Sequence, residues 1–144
     1  MKLLIAIDLS ASSKKVIESA LDIARSCKGK VWLLHVAEPE PDFVGYDVGP
    51  QSVRDSVAKD FHREHAELQD IANRMRDQAI ETTALLVQGA TAETILHEAN
   101  KLQVNMIVVG SHGHGAVHRL LVGSVSEHVL RNSTTPVLVV PTRH

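Results

Sequence analysis

The chain has 144 residues, 44% of them hydrophobic and 22% charged, a balance that fits one globular domain and excludes a disordered or fibrous chain. A domain of this length buries roughly 68 to 70% of the surface its unfolded chain exposes, so a sizeable core is available. A formal net charge of -2 excludes bulk attraction to nucleic acid or an anionic membrane, so any anion must be held by local groups.

In chain order, the apolar run over 2–7 is too short for a helix and predicts a buried first strand, ended by the polar stretch Asp8 to Ser13. Val16, Ile17, Ala20, Leu21, Ile23 and Ala24 recur at helical spacing and predict a helix over 14–27, with Ser12 or Ser13 as N-cap and Gly29 as its stop. A second strand follows over 31–36. The interval 37–50 holds Pro39, Pro41, Gly45, Gly49 and Pro50 and reads as a long surface loop. Residues 52–78 are rich in helix formers, with Val57, Phe61, Leu68, Ile71, Ala72 and Met75 as an apolar stripe, and predict one long amphipathic helix. A third strand is expected over 82–87. The segment 91–102 carries Ile95, Leu96, Ala99 and Leu102 on one face and opens on T-A-E-T, a weak form of the capping box. A fourth strand over 105–109, a glycine-interrupted stretch over 110–122, a short helix over 124–131 and a fifth strand over 136–140 complete the chain.

Strands and helices alternate throughout, which predicts an open, parallel five-stranded sheet of Rossmann-like or flavodoxin-like winding with helices on both faces. The scarcity of aromatics, 3% of the chain, suits such a sheet, whose strands are filled by Val, Leu, Ile and Ala. Ligands of these folds sit beyond the carboxyl ends of the strands where strand order reverses, so the loops opening at Asp8 and Gly110 are the candidates. The single cysteine, Cys27, has no internal disulfide partner, Met1 to Ser10 lacks signal-peptide character, and no apolar run reaches the ~20 residues of a membrane span. The expectation is one cytoplasmic domain over 1–144 with Cys27 reduced.

The densest functional signal is Gly110-Ser111-His112-Gly113-His114-Gly115, followed by Gly123-Ser124-Val125-Ser126. Glycines at 110 and 113 permit positive φ and close approach of the backbone to a ligand, while a helix starting near Gly123 aims N–H groups and the Ser124 and Ser126 hydroxyls at the same place. That combination suits phosphate. Neither the P-loop ending in Gly-Lys-Ser/Thr nor G-x-G-x-x-G is present.

The segment resembles the universal stress protein family, specifically its ATP-binding branch, whose motif G-x2-G-x9-G-(S/T) is matched by Gly110, Gly113, Gly123 and Ser124. The resemblance extends to the first strand ending in Asp8, Leu34-His35-Val36, the Val-Val-Gly-Ser-His-Gly run over 108–113 and Pro-Val-Leu-Val-Val over 136–140. It implies a single domain of the adenine nucleotide alpha hydrolase-like fold that binds ATP as a nucleotide-sensing stress-response protein. By position it implies nucleotide contacts from Ile7 and Asp8, with Asp8 at the ribose and phosphates or at an accompanying Mg2+ or Mn2+, and from Val36 and Val109 beside the adenine. The triphosphate would rest on Gly110, His112, Gly113, Gly123, Ser124, Val125 and Ser126. It also implies a homodimer through the last strand, Val137, Leu138, Val139 and Val140, whose edge character independently calls for cover.

Each feature has a plainer reading. The glycine loop could be a bare strand-to-helix connection, and Asp8 could cap the first helix. His112, His114, His118, His128 and His97 lack Cys or Asp/Glu companions at ligand spacing, and His62 and His65 lie on a charged, solvated helix, so histidine-held metal is not expected. His35 reads as a satisfied strand histidine, Cys27 as structural, and Arg119 as a cation that could either reach a γ-phosphate or lie on the surface. A slow ATPase or autophosphorylating enzyme using the same site is the alternative to pure binding, although no loop carboxylate is an evident base for water. An unliganded dimeric scaffold is the third reading.

Overall fold

A computed structural model describes residues 1–39, 51–112 and 122–142, with backbone alone for 51–57. The described elements are β1 (Lys2–Ala6), α1 (Ser13–Cys27), β2 (Lys30–Ala37), α2 (Gln51–Arg76), β3 (Thr82–Gln88), α3 (Thr91–Leu102), β4 (Met106–Gly110), α4 (Ser124–Asn132) and β5 (Val137–Val140). The strands form one parallel sheet of order β3-β2-β1-β4-β5, the Rossmann-like winding expected from the alternation. Every element type agrees with the sequence reading, and the boundaries shift by one or two residues. Of the loop expected over 37–50, Ala37 extends β2 and 40–50 lies outside the described residues.

The sheet is buried on both faces, which is why its strands read as continuous apolar runs. Side chains alternate, so Leu3, Ile5, Val31 and Leu33 join Val16, Ala20, Leu68 and Met75 of α1 and α2 in one cluster. Leu4, Trp32 and Leu34 pack on the other face with Ile95 and Ala99 of α3 and Val129 of α4. At the amino-terminal edge of the sheet, Lys30 and Lys2 lie 5.0 and 5.9 Å from the centre of the Trp32 ring, covering the one tryptophan with two cations.

Three local expectations are corrected. Ser12, one of the two candidates, is the N-cap of α1 but makes no side-chain cap bond; Ser13 is inside the helix and its hydroxyl donates to Asp8. The left-handed residue that ends α1 is Lys28 (φ 49°), not Gly29. Lys28 N–H bonds to Arg25 and Gly29 N–H to Ala24 in a Schellman arrangement, and Gly29 is needed because a Cβ there would lie 3.0 Å from Cys27 Sγ and 3.3 Å from the Met1 carbonyl. The T-A-E-T box is not formed: Ala90 is the N-cap of α3, and Thr91 Oγ1 instead donates to Glu38 at 2.8 Å. With the cap one residue earlier, Glu93 falls in the third helical position and complements the helix terminus without a reciprocal hydroxyl.

Leu33 is fully buried at the centre of one face. Leu33→Ala is expected to lower unfolding free energy by about 2 to 5 kcal/mol, read as a lower urea midpoint with an unchanged slope.

Candidate functional site

Strand order places β1 between β2 and β4, so the chain leaves β1 toward one side and returns through β4 on the other. The loops after these two strands therefore meet at the switch point of the sheet. Beyond β1, Asp8 organises a tight turn: its Oδ1 accepts from Ser10 N–H at 3.0 Å, Ser10 Oγ at 2.5 Å and Ser13 Oγ at 3.1 Å. The intervening Leu9 is held at φ 60°, a left-handed conformation unfavourable for leucine, and its side chain packs on the α1/α2 core. The carboxylate, the apolar contact and the turn thus fix one another. Ile7 is buried, with its N–H on Leu34 O and its carbonyl on His35 Nδ1.

Beyond β4, the backbone of Ser111 and His112 is locked to the end of the chain. Ser111 N–H bonds to Val140 O, Thr142 Oγ1 accepts from His112 N–H and donates to His112 O, and Thr142 N–H donates to Ser111 Oγ. Ser111 Oγ also lies 2.9 Å from His112 Nδ1. The start of α4 is clamped onto this turn: Gly123 N–H donates to Ser111 O at 2.5 Å and Ser126 Oγ to Gly110 O at 2.5 Å. Gly110 and Gly123 are thereby brought together.

The reason for glycine at 110 differs from the expectation. Gly110 is not in a positive-φ conformation; a Cβ there would lie 3.0 Å from Thr142 Cγ2 and 3.1 Å from Val16 Cγ2, so its bareness serves packing inside the protein. Gly123 is extended (φ -71°, ψ 163°), and its Cβ would press on Ser111 O at 3.2 Å. Close packing, within the core at Gly110 and between the two loops at Gly123, and not backbone handedness, selects these two residues.

The first intrahelical bond of α4 runs from Glu127 N–H to Gly123 O at 2.9 Å, and its N-cap, Gly123, brings no capping side chain. The N–H groups of Ser124, Val125 and Ser126 therefore have no acceptor within the helix. Ser124 is exposed, while Ser126 is buried with its hydroxyl proton committed to Gly110. Ser124 and Val125 form one wall of a cleft of about 470 Å³ whose other walls include Glu38, Pro39, Thr91 and Glu93. Val36 and Val109 are core residues, buried beneath α3 and α4, so only their backbone faces the strand ends. Gly113, His114, Gly115, His118 and Arg119 lie outside the described residues.

Sequence reasoning missed Thr142 and Glu38. Each acts through a partner far along the chain, and nothing in the local pattern marks it. It also missed the carboxylate neighbours of two histidines: Glu93 on α3 lies 3.7 Å from His128 on α4, and Glu64 on α2 lies 3.3 Å from His35 on β2.

The universal stress protein family profile matches residues 1–141, nearly the whole chain. The chain belongs to the universal stress protein family. A universal stress protein of Thermus aquaticus is 30% identical over 144 residues, covering 96% of this chain and 96% of its own. The solved structure of the Methanocaldococcus jannaschii protein MJ0577 superposes with a TM-score of 0.83 at 25% identity, covering 99% of this chain and 96% of that one. A universal stress protein solved in complex with cAMP has a TM-score of 0.71 at 23% identity, covering 99% of this chain and 98% of that one.

For this universal stress protein the clamp between β4 and α4 is open to direct test. Gly110→Ala should cost about 1 to 3 kcal/mol by overpacking against Thr142 and Val16, and Ser126→Ala about 1 kcal/mol by freeing the Gly110 carbonyl, both measured by thermal unfolding.

Proposed function

We propose that this universal stress protein binds an adenine nucleotide, ATP in particular, across the loops that follow β1 and β4, and that occupancy of the site is the regulatory signal. The observation that carries the reading is the clamp of Gly123 onto Ser111, which sets the N–H groups opening α4 beside the exit of β4 and against an open cleft. Each such donor contributes on the order of 0.3 to 2 kcal/mol toward an anion, so a polyphosphate engaging several needs no basic surface. The relative bound to cAMP supports an adenine nucleotide as the ligand class.

In this reading the phosphates rest on Gly110, His112, Gly113, Gly123, Ser124, Val125 and Ser126. The base lies near the strand ends at Ile7, Val36 and Val109. Asp8 is the carboxylate nearest the ribose and any Mg2+ or Mn2+ that accompanies the phosphates. Its Oδ1 already accepts from Ser10 and Ser13, which fixes the carboxylate in place at the exit of β1.

A slow ATPase or self-phosphorylating activity draws on the 2.9 Å contact between Ser111 Oγ and His112 Nδ1, since imidazole beside hydroxyl is how a nucleophile is activated. Ser111 is only 6% exposed and its oxygen also holds Thr142 N–H, which favours a structural use of the pair and binding as the function. Among the described residues no helix is long and apolar enough to cross a membrane.

ATP at a hundred times its dissociation constant should add about 2.7 kcal/mol of apparent stability, visible as a raised melting temperature. Gly123→Val, which wedges Ser111 away from α4, should abolish that shift. Released phosphate in the same samples should stay at background. No shift with ATP, ADP or AMP at millimolar concentration would remove the nucleotide reading.

A homodimer through β5 belongs to the same proposal. The Pro136 and Val140 carbonyls bond inward to Ile107 and Ser111, so by strand alternation the peptide groups of Val137 and Val139 face outward from the sheet. The chain should sediment as a dimer, and Val139→Pro, which deletes an outward N–H, should yield a folded monomer by sedimentation and circular dichroism.

A further inference from the structure

His35 is a buried imidazole with two acceptors and a neutral form that can serve only one. It lies near the carboxyl end of β2 and is 8% exposed. Its Nδ1 is 2.9 Å from the carbonyl of Ile7, at the end of β1, and its Nε2 is 3.3 Å from Glu64 Oε2 on α2. A carbonyl and a carboxylate both accept, and a neutral imidazole carries one N–H. Only the ring protonated on both nitrogens satisfies both at once. When that proton leaves, either the Ile7 carbonyl loses its donor or the Nε2 lone pair faces a carboxylate across the same gap.

We infer that His35 is a proton-dependent clasp that, as the imidazolium, ties α2 to the end of β1 and positions the Ile7–Asp8 turn. The geometry makes it a positioning residue, acting through Ile7 rather than touching a ligand. Its effect on ligand rests on the adenine-nucleotide reading given above; the clasp itself does not.

Among the described residues, Glu64 is the charged group paired with the ring. On α2, Asp60 and Arg63 pair with each other at 3.4 Å, and Glu67 is exposed. From the loop after β1, Asp8 is held by Ser10 and Ser13. On α1, Lys15 has a polar partner of its own. On β3 the residues in register around His35 are Leu85, Leu86 and Val87, none of them charged.

The test uses the full chain without ligand, titrated between about pH 5 and about pH 8, the range of imidazole charge change. Nitrogen NMR of the His35 ring should show both nitrogens protonated at the acid end and loss of the Nε2 proton on raising the pH. Over the same range, amide exchange of α2, corrected for its intrinsic pH dependence, should accelerate about tenfold as the imidazolium–carboxylate contact is lost. Glu64→Gln can donate its amide N–H to the neutral ring, so its α2 exchange should stay flat with pH. ATP affinity should weaken as pH rises in the wild type and hold steady in Glu64→Gln. A ring already neutral at the acid end, or α2 exchange equally pH-dependent in Glu64→Gln, overturns the clasp. No ATP binding at any pH overturns the nucleotide reading and the positioning role, while the ring signals still decide the clasp.

Discussion

The site depends on one backbone contact, the Gly123 N–H bonded to the Ser111 carbonyl across the gap between β4 and α4. This contact joins two segments that the chain separates by more than ten residues, and it can form only where neither backbone carries a side chain into the gap. Gly123 meets that condition at the gap itself, where a Cβ would press on Ser111, while Gly110 makes room for Thr142 and Val16 behind the β4 turn. The Ser126 hydroxyl then closes the joint onto the Gly110 carbonyl, so the helix start is located by one main-chain bond and one short, buried side chain. A site of this construction can oppose negative charge in a protein whose own net charge is -2, because its positive character comes from oriented peptide dipoles.

The fold was legible because its signals are periodic. Leu3, Leu4 and Ile5 face alternate sides, and both sides are covered, so a short uninterrupted apolar run pointed to a parallel strand. The stripe on α2 and the alternation of element types likewise carried through. Signals resting on single residues fared less well. Gly29 marked the end of α1 correctly, yet the left-handed turn is taken by Lys28 because Gly29 is occupied by a steric demand from Cys27 and Met1. Thr91 had the chemistry of a cap, and Glu38, more than fifty residues earlier, drew its hydroxyl away.

The same distinction runs through the site. The glycines and serines near 110 and 123 were visible as a spaced pattern, since the pattern encodes a loop and a helix start. Thr142 was not, although it holds both polar groups of the His112 backbone, because its role depends on β5 running beside β4. Asp8 stood out by following a strand, but its three serine-borne donors depend on the left-handed turn at Leu9, which leucine gives no reason to expect. His35 was expected to be satisfied, and is; that its second partner is a carboxylate on α2 follows only from how the helix packs across β2.

Trp32 sits at the third position of β2, beside Leu4 in the sheet and under Lys2 and Lys30, at the opposite end of the strands from the loops after β1 and β4. As the only indole in the chain, it furnishes an intrinsic optical signal located in the sheet's interior and remote from the cleft. Emission from that ring therefore registers whether the central strands are assembled while remaining largely blind to what occupies the far rim, which separates loss of structure from loss of ligand in a single cuvette.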